Sequence, residues 1–225
     1  MIRVVAFDAY GTLFDVAGAA REAAAEPGGA ALAAIWPRLA DDWRKKQLDY
    51  AWLRTIMGAH ADFAQVTAEA LDWAMAAHGL ADPGLRARLL ALYDRLPAYP
   101  EAAAALDRLS ALDRPAAILS NGSPAMLDAA LAASGLAERF AAVLSVEAIG
   151  LYKPSARVYA MVPQHFGCTP HEVLFVSSNG GDIAGAARAG FVTAWVNRAG
   201  LPPDRLPHGP AHILTDLSRI PDLAR

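Results

Sequence analysis

The chain has 225 residues, of which 55% are hydrophobic and 19% charged, with a formal net charge of −3. This suits a globular core or a core carrying an insertion, and the acidic balance without a long basic run leaves no footprint for nucleic acid. The single cysteine, Cys168, rules out a disulfide within the chain. No apolar stretch is long enough to span a bilayer, and Met1-Ile2-Arg3 runs straight into the first apolar segment, leaving no room for a signal peptide; a cytoplasmic protein without a membrane partner is expected.

Val4-Val5-Ala6-Phe7 reads as a short buried strand, with Asp8 at its C-terminal end and Gly11 breaking it. Ligands bind at that end of the strands in an open parallel sheet. Asp8 is therefore either held for chemistry or an incidental loop residue, and the strand and the acid alone leave both readings open. From about Val16 to Leu96 the text is rich in Ala, Leu and Arg, with no convincing strand. Ile35, Trp36, Leu39, Trp43, Tyr50, Leu53 and Met57 fall largely at three- and four-residue spacings, which predicts one long helix from about Ala30 to Gly58 after a Pro27-Gly28-Gly29 turn. Further helices are expected over about Ala64–His78, ending at Gly79, and about Asp82–Leu96, before Pro97.

Beyond Pro97 strands and helices alternate. Ala116–Leu119, Ala142–Ser145, Val173–Val176 and Phe191–Val196 read as strands, and helices are expected from Ser123-Pro124, around Ala156–His165 and around Ile183–Ala189. Such alternation implies a parallel sheet covered by helices. The first strand belongs with these later ones. The expected organisation is an α/β core of residues 1–15 and 97–225, with residues 16–96 inserted as a helical cap.

Polar residues gather in the loops that follow the strands. In Ser120-Asn121-Gly122-Ser123-Pro124, Ser123 serves as an N-cap with Pro124 at the first helical position, but Ser120 and Asn121 precede the cap and are not explained by it. A hydroxyl, an amide and free backbone N–H groups near a helix N-terminus suit an anion. Lys153, in Leu151-Tyr152-Lys153-Pro154, reads in isolation as a solvated charge. Asp182, closing Ser177-Ser178-Asn179-Gly180-Gly181-Asp182, reads in isolation as an acid favoured by a helix dipole. Arg44, in Trp43-Arg44-Lys45-Lys46-Gln47-Leu48, would ordinarily belong to the basic face of an amphipathic helix. His60, His78, His165, His171, His208 and His212 show no metal-ligand spacing, and Cys168 has no evident base partner.

Val4 through Phe14 resembles the first motif of the haloacid dehalogenase superfamily, in which the acid at Asp8 is a nucleophile. The superfamily's phosphatases carry a second Asp two residues later, as general acid, where this chain has Tyr10. A tyrosine, with an ordinary pKa of about 10, is a poor donor in that role, whereas a departing halide needs no proton. Together with Ser120–Pro124, Lys153-Pro154, Ser177-Ser178-Asn179 and the Arg44 segment, the chain closely resembles the L-2-haloacid dehalogenases over nearly its whole length. That resemblance implies a doubly wound, Rossmann-like core with an inserted helical cap, and a homodimer. It implies hydrolysis of short (S)-2-haloalkanoic acids to (R)-2-hydroxy acids and halide through an Asp8 ester, with no cofactor and no metal. Thr12, Lys153 and Ser177 then surround Asp8, and Ser120 with nearby amides receives the substrate carboxylate. Arg44 and Asn121 cradle the halide with Phe63 beside it, while Asn179 and Asp182 position and activate water. Tyr10 and Leu48 line the pocket and Tyr159 supports it. The competing implication is a metal-dependent phosphatase or phosphonatase, for which Asp8 and Asp182 alone make a thin magnesium site. Two positions depart from the resemblance, both expected to alter pocket shape. Gly181, preceded by Gly180, stands where better-known members carry a bulky aromatic, which predicts room for longer acids, and Lys45 stands where glutamine is common.

Overall fold

The computed structural model describes residues 1–27 and 29–225. Its centre is a sheet of β1 (Val4–Phe7), β2 (Ala116–Ser120), β3 (Ala142–Ser145), β4 (Val173–Ser177), β5 (Val192–Val196) and β6 (His212–Leu214). All neighbours run parallel, in the order β3-β2-β1-β4-β5-β6, so the winding reverses at β1. β1, β2 and β4 are buried along their whole length, as their unbroken apolar text requires of strands covered on both faces. The register sets Phe7 beside Ile118 on one side and Val176 on the other. Asp8 therefore emerges at the point where β2 and β4 diverge, the crevice in which doubly wound sheets bind ligands.

Between β1 and β2 the chain is helical: α1 (Gly18–Ala25), α2 (Ala30–Ala33), α3 (Trp36–Met57), α4 (Phe63–Ala77), α5 (Pro83–Tyr93) and α6 (Ala102–Ala111). The single helix expected over 30–58 is two, with a break at Ala34-Ile35. Pro37 is the cause: it has no N–H to donate and its ring would strike the carbonyl one turn back, so a helix starts afresh around it. Of the turn expected before it, Gly28 lies outside the described residues. α3 buries Leu39, Trp43, Gln47 and Ala51, a four-residue repeat that packs against α4. α4 starts where Asp62 accepts from Gln65 N at 2.8 Å, and α5 starts at Pro83 after Asp82 accepts from Gly84 N and Leu85 N.

The later helices are α7 (Pro124–Ser134), α8 (Ala156–Tyr159), α9 (Met161–Phe166), α10 (Gly180–Arg188) and α11 (Ile220–Leu223). The helix expected over 156–165 divides at Ala160, three residues before Pro163. α1, α6, α11 and β6 are additional to the elements expected: the first two are short alanine-rich runs whose few charged residues, Arg21 and Glu22 in α1 and Asp107 and Arg108 in α6, face solvent, and β6 is only three residues. The helical segment is fastened over the strand ends by Glu147, whose carboxylate accepts from Phe63 N at 3.1 Å and meets His60 Nε2 at 2.8 Å, and by Tyr152 N donating to Thr55 Oγ1 at 3.0 Å. Among the described residues no helix is long and apolar enough to cross a membrane.

Candidate active site

Asp8 leaves β1 with its backbone N–H donating to Val176 O at 2.9 Å. Gly11, at φ +90°, then turns the chain, and a Cβ there would lie 3.1 Å from Ser178 Oγ. The turn brings Thr12 back to the acid: Thr12 Oγ1 donates to Asp8 Oδ2 at 2.9 Å and accepts from Ser178 N at 2.8 Å. Lys153 Nζ donates to Asp8 Oδ1 and to Asp182 Oδ2, each at 2.9 Å. Asp182 also accepts from Ser177 Oγ on Oδ2 at 2.9 Å and from Tyr159 OH on Oδ1 at 2.7 Å. Asn179 caps α10, its Oδ1 accepting from Asp182 N at 3.1 Å.

These charges sit almost out of water: Lys153 is 4% exposed, Asp8 7% and Asp182 8%. Burial opposes the Lys153 charge, but the Asp182 and Asp8 carboxylates outweigh it and hold the ammonium above its ordinary value. Burial lifts Asp182 above the usual carboxylate range, with Lys153 pulling it back and Asp8 adding to the rise. A carboxylate so placed is a stronger base than one in water. Burial, then Asp182, raises the Tyr159 phenol, which stays a hydrogen-bond donor.

Arg44 reaches in from α3. Its Nη2 donates to Tyr10 O at 2.8 Å and its Nη1 to Gln47 Oε1 at 2.7 Å. Gln47 is itself buried and donates to Thr67 Oγ1 at 2.6 Å and Tyr93 OH at 3.1 Å, so the guanidinium is held from behind. Asn121 Oδ1 accepts from Lys153 N at 3.0 Å, which leaves the donor end of its amide for a ligand. Ser120 Oγ accepts from Gly122 N at 3.0 Å. Tyr10 stacks on Tyr93 and packs against Phe63. Burial, with Tyr93 and Asp94 adding, keeps its phenol protonated, and its hydroxyl has no hydrogen-bond partner among the described residues. A buried donor without a partner costs about 1–3 kcal/mol, which a polar ligand would recover.

These side chains line one pocket. It offers the Asp8 carboxyl group, bonded to Lys153 and Thr12, at its floor and a guanidinium and an amide as donors across from it, between apolar walls. A metal ion does not fit this donor set. Every carboxylate oxygen of Asp8 and Asp182 already meets a donor, and the Lys153 ammonium stands between the two acids. Among the described residues no group of three or more His, Cys, Asp or Glu side chains is arranged to hold a metal.

The sequence pattern of the haloacid dehalogenase-like hydrolases matches residues 2–190. The chain belongs to that family. Its relatives include (S)-2-haloacid dehalogenase 1 of Pseudomonas sp. (strain CBS-3), 44% identical over 99% of this chain and 96% of that protein. The (S)-2-haloacid dehalogenase of Xanthobacter autotrophicus is 48% identical over 88% of this chain and 76% of the relative. Among solved structures, the L-2-haloacid dehalogenase from Xanthobacter autotrophicus with chloropropionic acid covalently bound superposes with a TM-score of 0.88. It is 39% identical, over 100% of this chain and 99% of that one.

Of the residues expected at the site of this family member, Asp8, Tyr10, Arg44, Leu48, Phe63, Ser120, Asn121, Lys153, Asn179 and Asp182 line the pocket. Thr12, Ser177 and Tyr159 stand behind it, each bonded to one of the two acids. Lys45 corrects an expectation: it is exposed and does not line the pocket, being turned about 100° from Arg44 around the helix. Trp52 and Pro154 line the pocket and were not anticipated, nor was the Gln47 support. The signal for Trp52 was available, because Arg44, Leu48 and Trp52 repeat at four residues and share a helix face.

Proposed function

We propose that this protein hydrolyses short (S)-2-haloalkanoic acids to (R)-2-hydroxy acids and halide. The observation that carries the reading is the Asp8 carboxylate, held by Lys153 and Thr12 at the floor of a pocket whose opposite donors are Arg44 and Asn121. An Asp8 oxygen attacks C2 from behind, a C–O bond forms, and the halogen leaves with the C–X electron pair. Arg44 and Asn121 stabilise the charge growing on the halide, where preorganised donors have their largest effect. Ser120 and neighbouring amides hold the substrate carboxylate.

Water then attacks Cγ of the Asp8 ester. Asp182, with Asn179 orienting the water, takes one proton and returns it to the departing hydroxy-acid oxygen. The new Asp8 carboxyl loses its own proton beside the Lys153 ammonium, which restores the nucleophile. The phosphatase alternative needs magnesium and an acid for the leaving alkoxide. The donor set argues against the first, and the Tyr10 phenol, held above its ordinary range by burial, argues against the second.

Residues 16–96 act, in this reading, as a helical cap on a core of 1–15 and 97–225, excluding bulk water from the displacement. Leu53, Ile56, Met57 and Trp73 leave an exposed apolar face on that cap, which supports a homodimer. A cytoplasmic location accords with the lone Cys168. The test is a single turnover in H₂¹⁸O with (S)-2-chloropropionate, with and without EDTA. Label is expected in the Asp8 side chain, with halide release indifferent to chelation. Label appearing directly in the hydroxy acid overturns the ester, and magnesium-dependent phosphatase activity without halide release favours the alternative.

A further inference from the structure

We infer that Trp52, facing the bare backbone of Gly181, sets the length of acyl chain this pocket accepts; the inference rests on the dehalogenase reading above. Arg44, Leu48 and Trp52 lie at four-residue steps along α3, and all three line the pocket. Eight residues of helix carry the stripe about 12 Å. At its inner end Arg44 bonds to Tyr10 O beside the nucleophile. At its outer end Trp52 is 37% exposed, so the indole stands at the mouth.

Gly181 is the opposite jamb. A Cβ on Gly181 would lie 4.0 Å from Trp52 Cζ2, which is ordinary van der Waals contact, and 3.3 Å from Asn179 Oδ1. The space between the Gly181 backbone and the indole is therefore about one methyl group wide. With Asp8 behind C2, the halogen on Arg44 and Asn121, and the carboxylate on Ser120, Leu48, Trp52 and Pro154 remain as apolar wall for the C2 alkyl substituent. That substituent runs outward through the slot. The wall that a loop aromatic would supply beside the last acid is supplied here by a helix of the other segment.

The experiment compares kcat/KM for (S)-2-chloropropionate, (S)-2-chlorobutyrate and (S)-2-bromohexanoate, each as a ratio to chloroacetate, in four proteins. Trp52→Ala widens the slot and is expected to raise the ratio for the longer acids by about fourfold, the worth of one newly buried methylene. Gly181→Ala places its methyl against the indole and is expected to lower the same ratios several-fold. The double variant is expected to keep most of the Trp52→Ala gain, since without the indole the added methyl has nothing to close against and the two changes do not add. A role confined to stability moves activity on all substrates together and leaves the ratios where they were. Halide release by the wild type with unchanged ratios in both single variants overturns this inference alone. No halide release by the wild type from any of the acids overturns the dehalogenase reading and this inference with it.

Discussion

Lys153→Met removes an ammonium that is 4% exposed and keeps most of its apolar stem. Two contacts of 2.9 Å disappear, leaving Asp8 and Asp182 as buried like charges with only hydroxyl donors, Thr12 on one and Ser177 and Tyr159 on the other. Removing one partner of a buried ion pair costs about 3–5 kcal/mol. The variant relieves part of this by binding a proton on one of the acids. A carboxyl whose folded pKa is raised contributes stability that is present in acid and lost as pH rises through that pKa. The variant should therefore recover up to about 1.4 kcal/mol for each pH unit below the raised value. Urea denaturation at pH 8 and pH 5 reads this directly: a deficit of about 3–5 kcal/mol against the wild type at pH 8, smaller by about 2 kcal/mol at pH 5. A stopped single turnover at pH 8 should show no halide release, because Asp8, the proposed nucleophile, has lost the Lys153 contact that aligns it. An equal deficit at the two pH values, or one below about 1 kcal/mol at pH 8, would mean that water already screens these charges, and the account of the buried triad would be wrong.

Arg44→Lys should lower kcat by roughly tenfold or more, since an ammonium cannot hold Tyr10 O and Gln47 Oε1 while also facing the halide; unchanged kinetics would return Arg44 to a surface role. Gln47→Leu should reduce kcat more than it changes KM, and destabilise the fold by about 1–3 kcal/mol for each of Tyr93 OH and Arg44 left without its partner. A loss of stability with kcat intact would confine Gln47 to packing. Ester hydrolysis, followed as product release after a halide burst, should fall as pH drops through a value above the ordinary carboxylate range, since Asp182 acts ionised and its proton affinity is raised. An acid limb at or below about 4 would contradict that assignment.

The strand ends were the most legible part of the chain. Asp8, Ser120 and Ser177 each close or follow a run of apolar residues, so a period-free buried strand and the polar residue after it mark both the sheet and the site. Arg44 was legible only through its resemblance to relatives, because a basic residue on an amphipathic helix has the same local text wherever it points. Gln47 and Trp52 were not singled out, since their roles depend on Thr67, Tyr93 and Gly181, residues far along the chain that folding alone brings near. The break before α3 followed from Pro37, whose missing N–H outweighs a continuous apolar repeat. β6 escaped notice for a different reason: three residues at a sheet edge, with Ile213 54% exposed, carry too little hydrophobic text to be seen.

The Arg44 bond to Tyr10 O spans two segments of the chain: a helix of the inserted portion reaches the loop that follows the nucleophilic strand. The guanidinium that would receive the departing anion is thus bonded to a carbonyl two residues beyond the acid that would attack. With α3 unseated, Asp8 would confront an alkyl halide without any electrophilic assistance at the far side of the carbon. In the proposed mechanism the arrangement would work as an interlock, in which alkylation of the enzyme is permitted only in the geometry that also shelters the resulting ester and keeps Asp182 beside it for hydrolysis.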